Sequence, residues 1–265
     1  MKLSVCAEMV FGELAFFGRL REIKACGLDC IEFWRWSDKD LEALRGQLTA
    51  LEMTVSAFCV DSSDPEISAY INKYALNGDN AQALLAAAQE SIQTAKYLGA
   101  ESLIITIGDR LPGIPEARQI RTAEENLSTL APVFAQNGVT LLVEPINRQE
   151  RPAYLLPNAR EAARLVHAAA SPAVKLLYDI YHQSMEQDFA LPHLLEILPL
   201  VGHIHVADCP GRGEPGTGGV DYRAVFRGLR EQGYTGLVGL EFLPQSPAAA
   251  ALRNVQALCG SCPDR

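Results

Sequence analysis

A surplus of basic residues is the first thing missing from this chain of 265 residues. Lys and Arg number 23 against 32 Asp and Glu, for a net charge of −9. Without a basic cluster the chain is a poor partner for nucleic acid or an anionic membrane. A small anionic substrate stays open, because a few arginines at one site suffice. No stretch approaches ~18 uninterrupted apolar residues, so no membrane span is expected. The opening MKLSVCAEMVFGEL has one Lys, then Glu8 and Glu13, and lacks the apolar run and cleavage site of a secretory signal. No GxGxxG follows the first strand-like run, which weakens a dinucleotide-binding reading. GEPGTGG lacks the Lys-Ser/Thr ending of a phosphate-binding loop, so its glycines set turn geometry. Seven cysteines, odd in number and scattered through apolar segments, fit reduced thiols and a cytoplasmic setting. Cys259 and Cys262 form one CxxC without a second, a weak zinc or redox signal.

What is present is a regular alternation. Strand-like runs cover 3–9, 30–34, 54–60, 102–108, 139–144, 174–179, 202–208 and 237–242, with amphipathic stretches between them. In 81–98 the residues Leu84, Leu85, Ala88, Ile92, Ala95 and Leu98 share one helical face, and Gly99 follows as a stop. Asn158 or Ser171 bounds a helix over 159–169. Eight β–α units with connections of this size require parallel strands, and a closed barrel of them takes about 250 residues. The expected fold is therefore α/β, a single-domain (β/α)8 TIM barrel over 1–265, with a doubly wound open sheet as the competing layout. Residues 61–80 read as an extra loop over the active face, placed to act as a lid.

Four chemistry-bearing residues close successive strands: Glu144, Asp179, His205 and Glu241. Strand side chains alternate between faces, so Glu144 shares its face with Leu142 and Glu241 with Gly239. His203 and His205 point together into the barrel if Ile204 and Val206 pack outside. Barrel active sites lie at the carboxyl ends of the strands, where these donors converge. Alone, each is an ordinary strand-end or core residue. Several carboxylates buried together call for a cation. An oxygen-rich shell with one imidazole suits Mn²⁺, Mg²⁺ or Co²⁺ better than structural zinc. A divalent ion gripping a substrate's carbonyl and hydroxyl oxygens would stabilise the enediolate formed on proton removal. Glu144 and Glu241 approach from two sides and form the expected acid/base pair. Arg212 is a candidate clamp for a carboxylate or hydroxyl, His182 a donor to a substrate oxygen, and Glu214 a partner that orients Arg212 in a shared substrate-binding group. Trp34 and Trp36 are pocket-wall candidates, Arg35 and Arg148 are weaker anion contacts, and Glu8 is given no role.

The flanking motifs EPIN (144–147), YDIYH (178–182), GHIHVAD (202–208) and RGEPGTG (212–218) are similar to those of the hydroxypyruvate isomerase family. That family sits among the xylose-isomerase-like barrels beside ketose 3-epimerases of the tagatose and psicose type. The resemblance runs from MVFGEL (9–14) through the eighth strand. It implies that Glu144, Asp179, His205 and Glu241 are the metal positions and that His182 and Arg212 touch substrate. It also implies a homo-oligomer. One position departs: hydroxypyruvate isomerases often have Gln where this chain has His205, and the epimerases have His. The implied activity converts hydroxypyruvate to tartronate semialdehyde, with a divalent-metal ketose 3-epimerase or another sugar or sugar-acid isomerase as the alternative, so the partner is a small hydroxy-oxo acid or ketose. Two other classes receive less support. A nuclease of the endonuclease IV type needs a histidine-rich zinc site and a basic groove, and this chain has five histidines and a negative charge. A non-catalytic sugar-binding barrel could dispense with the paired glutamates.

Overall fold

The computed structural model describes residues 1–260. Eight strands run β1 (Lys2–Cys6), β2 (Cys30–Phe33), β3 (Thr54–Cys59), β4 (Ser102–Thr106), β5 (Thr140–Glu144), β6 (Val174–Asp179), β7 (Val201–Val206) and β8 (Leu237–Leu240). Every neighbouring pair is parallel, and β8 returns to β1 to close a barrel in chain order. The helices are α1 (Phe16–Ala25), α2 (Leu41–Ala50), α3 (Pro65–Tyr74), α4 (Ala81–Leu98), α5 (Glu116–Asn137), α6 (Ala159–Ala168), α7 (Ile180–Met185), α8 (Leu191–Ile197), α9 (Tyr222–Glu231) and α10 (Ala248–Cys259). The closed barrel rules out the open-sheet layout. Among the described residues, no helix is long and apolar enough to cross a membrane.

Local sequence explains the boundaries. Asn80 caps α4 by accepting from Ala83 N–H, and Gly99 ends it in the left-handed conformation at φ 75°. Asn158 caps α6 through Arg160 N–H. The 61–80 segment is more ordered than a loop. Asp64 caps α3 and Pro65 occupies its first turn, a standard helix start, and a short 3-10 turn (Ala75–Asn77) follows. Buried Asn126 on α5 donates to the carbonyls of Leu76 and Gly78, which pins that turn. Cys259, buried in α10, is a free thiol; Cys262 lies outside the described residues.

The main core lies between strands and helices, where Val5, Ile31, Val143, Tyr178, Ile204 and Val206 all face outward. Inside the barrel a small apolar plug, Ala57, Ile104, Leu142 and Leu177, fills one sector. The other sector is polar: Ser4, Ser56, Glu32, His203 and His205 are all buried. Gly239, paired with Ser4 and His205 on either side, leaves room for them. A Cβ there would press on Glu32 Oε1 and lie 2.5 Å from His205 Cδ2 and 2.8 Å from His203 Nε2. Gly239→Ala is therefore expected to destabilise the fold by about 1–3 kcal/mol through overpacking. Urea unfolding measures this, and wild-type stability would mean that the polar layer yields freely.

Candidate active site

The four strand-end donors converge at the carboxyl mouth. Glu144, Asp179 and His205 close or near the ends of β5, β6 and β7, and Glu241 stands one residue past β8. One ligand atom from each lies within 4.8 Å of the others, and all four residues are buried. His205 Nδ1 is 3.4 Å from Glu241 Oε2, 3.6 Å from Glu144 Oε1 and 3.9 Å from Asp179 Oδ2. That nitrogen has no hydrogen-bond partner. An orphaned imidazole nitrogen facing three carboxylate oxygens fits a divalent cation in both charge and donor type.

The three carboxylate residues are held from behind. Tyr154 Oη donates to the Glu144 carbonyl at 2.6 Å and accepts from Ile107 N–H at 2.7 Å, so it fixes the end of β5 against β4. Asp179 caps α7, accepting from His182 N–H through Oδ1, which leaves Oδ2 toward the cluster. Glu241 receives Trp34 Nε1–H at 2.7 Å and Arg212 Nη2–H at 2.6 Å. Burial alone would raise its carboxyl, but His205, Arg212 and Trp34 outweigh burial and hold it well below the usual carboxylate range. His205 shows the reverse balance. Burial disfavours its charged form, yet Glu32 and Glu241 push it well above the usual imidazole range. The pocket demands positive charge.

Around the donors lies a cavity of about 390 Å³ whose lining includes Trp34, Arg35, Glu144, His182, Arg212 and Glu241. His182 Nδ1 accepts from Asn147 Nδ2 at 2.6 Å, while Asn147 Oδ1 accepts from Glu150 N–H. The network therefore leaves the His182 proton on Nε2. Arg212 adopts a left-handed backbone (φ 56°), stacks over Tyr181 and gives Nη1 to Glu150 Oε2 at 2.9 Å. Glu214 neither lines the cavity nor meets Arg212. It accepts from Gln245 N–H, Ser246 N–H and Ser246 Oγ, tying the Arg212 loop to the segment after β8. Arg35 is paired with Asp61 and Ser68 at the cavity wall, while Arg148 turns away to the carbonyls of Tyr154 and Leu155. Trp36 packs in the core and donates to Ser91. From 61–80, Ile71, Asn72 and Ala75 line the cavity.

Sequence reasoning missed Tyr154, Asn147, Glu150 and Glu32. Asn147 lies inside the EPIN motif and was the one with a signal. Trp34, 43% exposed, proves to be a donor to Glu241 as well as a wall. A hydrogen bond to a charged group contributes about 1.5–3 kcal/mol. Trp34→Phe keeps the wall and removes the donor, so kcat/KM is expected to fall about 10-fold or more. Unchanged steady-state kinetics would show that the indole N–H contributes nothing to Glu241.

Comparison with known proteins agrees with this fold. The family model described as xylose isomerase-like TIM barrel matches residues 20–259. The hydroxypyruvate isomerase of Escherichia coli (strain K12) is 28% identical over 261 residues, covering 96% of this chain and 97% of its own. The 2-oxo-tetronate isomerase of Cupriavidus necator is 29% identical, covering 92% and 94%. Among solved structures, a family 2 AP endonuclease from Brucella melitensis superposes with TM-score 0.89 at 25% identity, covering 97% and 98%. The D-psicose 3-epimerase of Clostridium cellulolyticum superposes at 0.77 with 17% identity over 98% and 99%, a likeness of fold.

Proposed function

The chain belongs to the xylose isomerase-like TIM-barrel family, as an isomerase, and from that membership we propose that it interconverts a small hydroxy-oxo acid by metal-assisted proton transfer. Hydroxypyruvate to tartronate semialdehyde is the reaction proposed. The observation that carries this reading is the convergence of Glu144, Asp179, His205 and Glu241 on the orphaned His205 Nδ1. These four residues would hold a divalent cation, with Mn²⁺, Mg²⁺ or Co²⁺ best matched to the donor set. When bound, the cation polarises the substrate's carbonyl and hydroxyl oxygens and offsets the charge that builds as a proton leaves.

The chain's own residues do the rest. Glu241, held ionised by Arg212 and Trp34, starts as a proton acceptor. Glu144, from a strand three places away around the barrel, reaches the same volume from another side. Removal of the acidic C–H proton by one carboxylate leaves an enediolate; delivery of that proton to the neighbouring carbon, with the hydroxyl proton passing to the former carbonyl oxygen, completes an aldose–ketose exchange. His182 presents Nε2–H to a substrate oxygen. Arg212 presents its buried, unpartnered Nε and a planar guanidinium to a carboxylate. Glu214 positions the Arg212 loop. The α3 segment covers one wall of the cavity and is assigned the role of lid.

One observation favours a second reading, a ketose 3-epimerase. The cavity, about 390 Å³, leaves room for a ketose as well as for a three-carbon acid. Delivery of the proton to the opposite face of the same carbon by the second glutamate would then give epimerisation. A nuclease has less support, since Arg35, Arg151 and Arg212 at the cavity are each paired with a carboxylate. The discriminating experiment supplies hydroxypyruvate, 2-oxo-tetronate and a ketose panel in deuterium oxide. Turnover of hydroxypyruvate with deuterium at the product carbon is expected. Exchange only at C3 of ketoses would replace the isomerase reading, and exchange in no substrate would remove both. The same reading carries a cytoplasmic homo-oligomer, and light scattering checks its assembly.

A further inference from the structure

Beneath the four donors lies a layer that the proposed reaction does not use: Glu32, His203 and the far edge of His205. Glu32 sits on β2 where its pairing with β3 shifts register, between Ile31 and Glu32. It is 2% exposed, inside the barrel, 171 residues from its first partner. Its Oε2 lies 2.9 Å from His203 Nε2 and 3.3 Å from Ser56 Oγ. Its Oε1 lies 3.0 Å from His205 Nε2. Neither of those two atoms has an aligned hydrogen bond, although each is fully buried.

A neutral imidazole carries one proton, on one nitrogen only. A cation at His205 Nδ1 needs the lone pair there, which places the proton on Nε2. Glu32 Oε1 is the carboxylate facing that nitrogen. The other oxygen is engaged by His203, so the carboxylate cannot turn away, and Gly239 clears the space it occupies. We infer that Glu32 is a positioning residue: it fixes His205 in the Nε2–H form with Nδ1 offered to the cation. This rests on the cation site of the proposed function. An amide in place of Glu32 could accept from only one of the two histidines, because its other end is a donor. Outer-layer partners of metal-bound histidines raise metal affinity about 10- to 100-fold.

Mn²⁺ binding to the full chain, counted as free ion by electron paramagnetic resonance, tests the inference without reference to turnover. Wild type is expected to bind one ion. Glu32→Gln, with its fold verified by circular dichroism, is expected to bind about 10- to 100-fold more weakly. Equal affinity would overturn this inference alone, whereas no binding by wild type would overturn the cation site and the inference together. A second ion per chain, lost in Glu32→Gln, would overturn it by making Glu32 a ligand. Should Glu32→Gln not fold, nitrogen-15 spectra of wild type loaded with Mg²⁺ decide. An Nε2–H signal for His205 supports the inference, and an Nδ1–H signal overturns it.

Discussion

Glu144→Gln is expected to fold normally and to lose about 10²- to 10⁴-fold in kcat, the range for removing a group that moves a proton in the transition state. Gln keeps the volume and an oxygen donor but can neither take nor return a proton. Glu144 is the cleaner of the two probes. Its side chain has no arginine partner, and its backbone is fixed independently through Tyr154. Glu241→Gln should lose a similar factor, but the measurement mixes two effects. The carboxylate also neutralises Arg212 and His205, and its removal leaves both buried beside fewer negative charges. Substrate-derived deuterium exchange separates the cases. If Glu144→Gln stops exchange while substrate still protects the enzyme from unfolding, the lost step is proton transfer. If both variants keep near wild-type turnover, the acid/base assignment is wrong.

The fold was legible because β–α alternation is a global pattern that survives local errors. All eight strands stand where the apolar runs lay, though most are shorter at the carboxyl end, as β1 shows by stopping at Cys6. The residues past each stop form the rim of the candidate site, where backbone pairing gives way to loops. The four donors were legible for the same reason, since each sits at the end of a run that any barrel would aim at one mouth. Glu32 was not. In CIEFW it reads as one polar residue on a short strand, and its role depends on barrel closure and a register shift that no local spacing encodes. Trp34 and Tyr154 share this character, joining residues 207 and 10 positions apart through side-chain reach alone. Glu214 shows the opposite failure: a charged residue in a Gly-rich motif near Arg212 invited a role at the substrate, yet its oxygens are consumed by backbone N–H groups. The α3 segment was legible in principle, because Asp64-Pro65-Glu66 is a helix start; its length between strands drew attention instead.

Removal of divalent cations is expected to abolish turnover and to lower stability together. Three carboxylates meet within 4.8 Å in a buried site, and among the described residues Arg212 and a charged His205 stand against them. Carboxylates this close repel strongly when water is scarce, so a bound cation stabilises the folded state as well as the reaction. At 100 times its dissociation constant an ion that binds only the folded chain adds about 2.7 kcal/mol. At roughly 2–4 °C per kcal/mol for a chain near this size, the melting temperature should rise by roughly 5–10 °C. Dialysis against a chelator, followed by titration with Mn²⁺, Mg²⁺ or Co²⁺, gives both readings on one sample. Activity and melting temperature should recover along the same titration curve, because one ion serves both. In Glu144→Gln the thermal gain should shrink, since a charged ligand becomes a neutral amide oxygen, while activity stays at the variant's reduced level at every ion concentration. Full activity in excess chelator, with an unchanged melting temperature, would leave the four converging donors without the cation that the whole reaction is built on.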